Sequence, residues 1–479
     1  MSDHPTIQVT DNATSVVPTA AAVRVSRRAA VAGGLGLAGL GSALGLGLLS
    51  RRGTAGQIGD QRQQASHLLR RAGFAASIAE VDAALKAGLG PTADTLLHPE
   101  RVDDSALESR LRADNFDLQK VEQLRRWWLV RMSVSRRPLV EKMTLFWHGI
   151  LTSSYRKVGK SYTLMSTQNQ FLRQHALGNL RDLLVGISKD GAMLKWLDGT
   201  GSTKAHPNEN YARELMELFT MGVGNYTETD VRELARAMTG WYVDAAGAVS
   251  FRERAHDTGS KTFLGHTGNL GVEEAVDLIL AHPATPKYLA TRMWEFFVYP
   301  SPSAADIQPV VAAYHESKYD IRAMMTALLA SPRFYSNQAY RGLVKSPVEL
   351  VAGASRQFGL TLDVNAFSAM DAMGQALFDP PNVAGWAGGE NWLSTGAWMA
   401  RVRWLIALSA TPGLARAMPT AARVEDAVAT AVGAMVDGNL SSAARAAIID
   451  HLRSAGSPAS QVAADMFLLV AASPEYQLA

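Results

Sequence analysis

Apolar residues recur at three- and four-residue steps through most of this chain. That period constrains the fold more than any other feature. In "SRRPLVEKMTLFWHGIL" (135–151), Leu139, Met143, Phe146, Trp147 and Ile150 share one helical face behind Pro138 at a first turn. "YTLMSTQNQFLRQHALGNLRDLLVGISKD" continues in the same style, as do "GVEEAVDLILAH", "TPKYLATRMWEFFV" and "IRAMMTALLASPRF". "TETDVRELARAMTGW" starts a further helix, with Thr227 or Thr229 as N-cap and Val231, Leu234, Ala235 and Met238 behind it. "DAAGAVSFR" is the best hairpin candidate, turning at Gly247. "TALLASPRFY" and "FLLVAASPEYQ" both end a helix at Ser-Pro, because proline continues a helix only at a cost. The expectation is a mostly α chain. It has a large multi-helical domain over 57–410, a small β-hairpin insertion near 241–265 and a helical C-terminal extension over 411–479.

The N-terminus reads as a targeting segment. Arg27 and Arg28 precede an uncharged Gly/Ala-rich stretch, Ala29–Ser50, in the manner of a twin-arginine export signal. The same stretch is long enough for a retained membrane anchor, so residues 1–56 are expected to be a signal or an anchor. Export then places the chain in the periplasm, on the cell surface or outside the cell. Membrane contact is expected only through this segment. Gly34, Gly36 and Gly39 satisfy G-x-G-x-x-G, but neither strand nor βαβ pattern frames them, so a dinucleotide site is rejected. The net charge of +3 is accounted for by Arg24, Arg27, Arg28, Arg51 and Arg52 against Asp3 and Asp11. The remaining body is formally neutral, which argues against nucleic acid. With no cysteine, thiolate catalysis and Cys-ligated zinc are excluded.

One polar segment stands out. "HPNENYARELMELFTMG" (206–222) placed on a helix puts Tyr211, Leu215, Leu218 and Phe219 on an apolar face. Asn210, Arg213, Glu214 and Glu217 form a second face. Arg213 lies four residues from both Glu209 and Glu217, so both ion pairs are expected. Such pairs on an exposed helix are worth about 0.3–0.5 kcal/mol each and require no function. Glu214 and Glu217 also suit a shared proton or a hard cation, although no Glu-x-x-His accompanies them. His256 and Asp257, beside Lys261 in "AHDTGSKTFLG", suit an acid/base pair or metal ligands, or a capped polar loop. His148, crowded by Phe146 and Trp147, reads as a core histidine or a ligand. Trp386 and Trp392 lie in a Gly/Pro-broken stretch, as stacking residues or as plugs in the core. The chain lacks G-x-S-x-G and P-loop motifs, and His315-Glu316 lacks the second His of H-E-x-x-H.

Ordered blocks carry a family resemblance. "HLLRRAGF" (67–74), "FWH" (146–148), "PNENYARELMELFTMGVGNYTETDV" (207–231), "RAMTGW" (236–241), "HDTGSKTFLG" (256–265), "KSPVEL" (345–350), "MGQALFDPPNVAGW" (373–386) and "WLSTGAWMAR" (392–401) resemble, in order, the domain-of-unknown-function 1800 family over about residues 60–410. The resemblance implies an exported, mostly helical protein. It also implies a partner, an exported protein of the domain-of-unknown-function 1501 family. It directs attention to Glu209, Asn210, Arg213, Glu214, Glu217, His256, Asp257 and Lys261, which lie in these blocks. Gly149-Ile150 stands where many relatives carry Asn-His, which weakens a metal site at His148. Two readings follow. In one, His148, His256 and Asp257 converge on the polar helix, with Glu214 or Glu217 as base or cation ligand and Arg213 or Lys261 steadying an anion, giving a hydrolase-like or ligand-binding site. In the other, the blocks pin loops to a non-catalytic envelope scaffold. No metal or cofactor is specified by the residues.

Overall fold

The computed structural model describes residues 56–159, 163–362, 365–454 and 459–479. The segment expected to be an export signal or anchor, including Arg27, Arg28 and 29–50, lies outside them. Among the described residues there are 24 α-helices and two short antiparallel hairpins, so the chain is mostly α. None of these helices is long and apolar enough to cross a membrane.

The elements that position the polar groups begin with α1 (Gln61–Arg71), α2 (Val121–Val134) and α3 (Pro138–Ile150). Pro138 occupies the first turn of α3, where a missing N–H costs nothing. This helix is apolar nearly all round, and such a helix is buried. Its Met143, Phe146, Trp147 and Ile150 enter one core with Leu68, Leu215, Trp294 and Tyr314, while Leu145 enters a second core with Trp128, Val351, Trp404, Val432 and Phe467. α3 is thus the partition between two apolar masses.

Next come α4 (Glu209–Glu214), α5 (Glu228–Ala237), hairpin β1 (Trp241–Val243) with β2 (Val249–Phe251), and hairpin β3 (Lys261–Phe263) with β4 (His266–Gly268). The first hairpin pairs Trp241 with Phe251 around a turn in which Gly247 has φ +92°. In the second, Leu264 and Gly265 both have positive φ, the backbone of a tight hairpin whose twist matches its strands. α5 opens on Thr227, whose hydroxyl accepts the Asp230 N–H while Asp230 accepts the Thr227 N–H. Then follow α6 (Ala284–Phe297), α7 (Pro347–Phe358), α8 (Thr395–Ser409), α9 (Val424–Val436) and α10 (Ala459–Ala471). The segment expected as a C-terminal extension shares the second core: Leu414, Val428, Val432, Met466 and Phe467 pack there with Trp128 and Val351.

The polar helix departs from a regular α-helix. Asn208 caps it and α4 runs to Glu214, but Leu215–Thr220 is a π-helix. Met221 N–H reaches back five residues to Met216 O, and the Thr220 hydroxyl donates to Leu215 O. The apolar face still buries Tyr211, Leu215 and Phe219, whereas Leu218 is only half-buried. The widened turn takes Glu217 out of the i, i+4 register with Arg213. The expected Arg213–Glu217 pair is therefore absent from the ion pairs of the described residues. Such π-turns are rare and concentrate at functional sites.

Candidate functional site

On α4, Arg213 keeps the expected pair with Glu209 and also turns to Glu228 of α5. Arg213 donates to both carboxylate oxygens of Glu228, at 2.7 and 2.8 Å, and lies 3.6 Å from Glu209. Glu217 accepts from the Tyr226 hydroxyl at 2.5 Å. Burial, with that bond to Glu217, pushes the Tyr226 phenol up to about 12. Asn210 reaches Leu197 O at 3.4 Å, and Asn208 donates to Asp198 O at 2.6 Å, so the preceding loop is tied to the start of the helix. Glu214 differs from its neighbours. It is half-buried and makes no hydrogen bond or ion pair with a described residue. Burial and the Glu217 charge hold its carboxyl above the usual range.

A second polar set joins α5 to the two hairpins. Arg236 grips Asp257 through Nε at 2.7 Å and Nη2 at 3.3 Å, and also donates to Glu233 at 2.9 Å. Asp257 further accepts the Gly259 N–H at 2.8 Å; these donors, Arg236 foremost, lower its pKa despite partial burial. Lys261 is 1% exposed, and its ammonium donates to Asp257 O, Gly259 O and Asn269 Oδ1 at 2.5, 3.1 and 3.2 Å. Burial lowers its pKa. His256 places Nδ1 2.9 Å from Thr239 O and its ring 5.4 Å from Phe251. Glu233 and Asp230 accept the Thr262 and Leu264 N–H groups, both at 2.8 Å, so α5 holds the second hairpin by its backbone.

A third set surrounds His148. Its ring sits 5.1 Å from Trp128, 5.1 Å from Phe378 and 5.4 Å from Trp386. Nε2 accepts the Phe378 N–H at 3.2 Å. Burial alone drives the imidazole down to about 3, so it is neutral at ordinary pH. Trp386 thereby stacks on a core histidine. Trp392 offers its backbone carbonyl to Arg401 at 3.0 Å. The structure does not bring the expected constellation together: neither histidine nor Asp257 has a hydrogen bond or ion pair to Asn210, Arg213, Glu214 or Glu217. Among the described residues, no group of three or more His, Asp or Glu could hold a metal ion.

The largest concentration of buried charge lies elsewhere, and sequence reasoning passed over it. Lys142 of α3 pairs with Glu349 of α7, both buried, and Glu349 also closes a capping box on Ser346. Burial would raise the Glu349 carboxyl, but Lys142 and Arg71 outweigh it and hold the group at about 2. Arg71 donates to Phe296 O and Phe297 O at the end of α6. Arg401 of α8 donates to Gln477 Oε1 and Lys345 O at 2.9 and 2.6 Å. Asp437, in a left-handed turn after α9, accepts from Ser66, Arg70, Tyr340 and Arg341. A signal for this network was present: Arg70, Arg71, Lys142 and Arg401 stand on apolar helical faces, where an unpaired charge is prohibitive.

A shallow depression of about 440 Å³ borders the end of the π-turn, lined by Met221, Gly222, Asn225, His282, Lys287 and Tyr288. The Tyr288 hydroxyl anchors it by donating to Leu218 O at 2.6 Å, and neighbouring Val223 is 76% exposed.

Neither the curated proteins nor the solved structures give a match. The model of the family described as "Protein of unknown function (DUF1800)" matches residues 67–478, which takes in every set above and Asp437 as well, and the chain belongs to that family.

Proposed function

We propose that the chain is an exported binding protein, not a catalyst, and that its family blocks build the scaffold. The supporting observation is how fully the expected catalytic groups are engaged. Asp257 is gripped by Arg236 and the Gly259 N–H, the Lys261 ammonium by three oxygens, and His148 is sealed among aromatic rings. A general acid or base needs a lone pair or proton that it can turn to a substrate. Export rests on Arg27-Arg28 ahead of 29–50, and the expected partner is an exported protein of the domain-of-unknown-function 1501 family. The exposed Val223 rim and the depression beside Tyr288 are the surface assigned to it.

Titration calorimetry of the purified chain with that partner tests the reading. Binding is expected, weakened at least tenfold by Val223→Asp and unchanged in Asp257→Asn, which lowers Tm instead. A turnover that Asp257→Asn abolishes while remaining folded would falsify it.

Glu214 favours a second reading, in which Glu214 and Glu217 take a cation or share a proton. Elemental analysis of the wild type and Glu214→Gln decides it: bound metal in the first and none in the second supports a cation, and metal in neither removes that version.

A further inference from the structure

The buried network around Asp437 is unbalanced. α1 supplies Ser66 and Arg70, the segment before α7 supplies Tyr340, Arg341 and Lys345, and the turn after α9 supplies Asp437. Arg70 is 6% exposed, Arg341 1% and Lys345 5%. Asp437 is saturated. Oδ1 accepts from the Ser66 hydroxyl at 2.5 Å, and Oδ2 accepts from Arg341 at 2.7 Å, Arg70 at 3.0 Å and Tyr340 at 3.1 Å. One carboxylate therefore faces two buried guanidinium groups, beside the buried Lys345 amine, whose pKa burial and then Arg341 and Arg70 push well down. Glu349, whose charge also acts on Lys345, is committed to Lys142.

The surplus is also visible atom by atom. Arg70 Nε and Nη2 and Arg341 Nε are buried without a hydrogen-bond partner among the described residues. Arg341 Nη1 is spoken for by Glu475 O. The Lys345 ammonium makes no hydrogen bond or ion pair with a described residue and rests 3.9 Å from the centre of the Tyr476 ring. Unpaired buried charge costs several kcal/mol per ion. Buried guanidinium N–H groups are strong, fixed donors that select anions.

We infer that Arg70, Arg341 and Lys345 form a buried binding site for a small inorganic anion of halide size. The size follows from closure. Every contributing side chain is nearly sealed from solvent, which leaves no route for an organic carboxylate or a phosphoester. Such an anion would supply an acceptor for three orphan guanidinium nitrogens and would balance the surplus of Arg70 and Arg341 over Asp437. It would also join α1, the segment before α7 and the turn after α9, three pieces far apart in sequence. The low pKa of His67 fits the same positive field: burial is its first cause, followed by Arg70 and Arg71.

Bromide, which scatters anomalously, is the direct probe. Crystals of the wild-type protein grown in bromide are expected to show an anomalous peak within hydrogen-bonding reach of Arg70 Nε and Arg341 Nε. In solution, Tm is expected to climb with the logarithm of chloride concentration at constant ionic strength held with isethionate, because a ligand that binds only the native state stabilises it by mass action. Lys345→Met should flatten that climb and raise Tm in isethionate alone, since it removes a buried amine that has no hydrogen-bond partner among the described residues. No bromide peak at the cluster, or equal Tm in chloride and isethionate, overturns the site. Stabilisation by phosphate with none by chloride overturns its size. If Lys345→Met fails to fold, the wild-type diffraction result still decides.

Discussion

At the scale of single residues, this protein stakes much on a few buried charges. Glu349 answers both Lys142 and Arg71, so Glu349→Gln leaves two buried cations short of a counter-charge. The expected loss is about 3–5 kcal/mol by chemical denaturation, and Lys142→Met added to it should recover part of that. Acid sensitivity follows with a definite sign. The Glu349 carboxyl lies at about 2 in the folded chain, below its ordinary value of 4.5, so its contribution is present above that value and is lost as pH falls from 4.5 towards 2. His148 acts earlier. Its folded value of about 3 lies below the ordinary 6.5, so the unfolded chain takes up a proton that the folded one refuses, and stability falls from pH 6.5 downwards. Tm measured between pH 8 and 3 should decline from about 6.5, and His148→Gln should make the upper part of that decline shallower. The exposed Arg213–Glu228 pair is of another kind: Arg213→Ala should cost under about 1 kcal/mol despite its good geometry.

At the scale of elements, α5 is the organiser of the polar region. Asp230 accepts from Thr227 at the helix start and from the Leu264 N–H of the second hairpin. Asp230→Ala should therefore cost about 1–2 kcal/mol, more than a cap alone, and should raise amide exchange at Leu264. The hairpin at Gly247, the Thr227 cap and the Pro138 start were legible because each depends on local backbone preference. The π-turn at Leu215–Thr220 was not. No residue in "LMELFT" forbids an α-helix, and the extra residue per turn arises where Tyr211, Leu215 and Phe219 must all reach one core. Its consequence was equally hidden: Arg213 keeps Glu209 four residues back, but its second partner is Glu228 on the next helix and not Glu217.

At the scale of the whole molecule, residues after 410 complete what earlier residues begin. Asp437 neutralises Arg70 and Arg341, and Val428, Val432 and Phe467 close the second core. A chain ending at Ala410 is expected to be insoluble or to bind ANS strongly, with loss of cooperative melting. A soluble fragment that melts sharply would show that the earlier residues suffice. By itself the sequence determined the helical class, the absence of cysteine chemistry and the family, since these depend on residue type and on spacing along the chain. Only the tertiary structure decided which charges meet: that His148, Asp257 and the face of Asn210, Arg213, Glu214 and Glu217 belong to separate sets, and that Arg70 and Arg341 share the Asp437 carboxylate. The physical reason is range. A helical period is written within a turn or two, whereas a buried ion finds its counter-charge wherever packing brings one, here 367 residues away from Arg70.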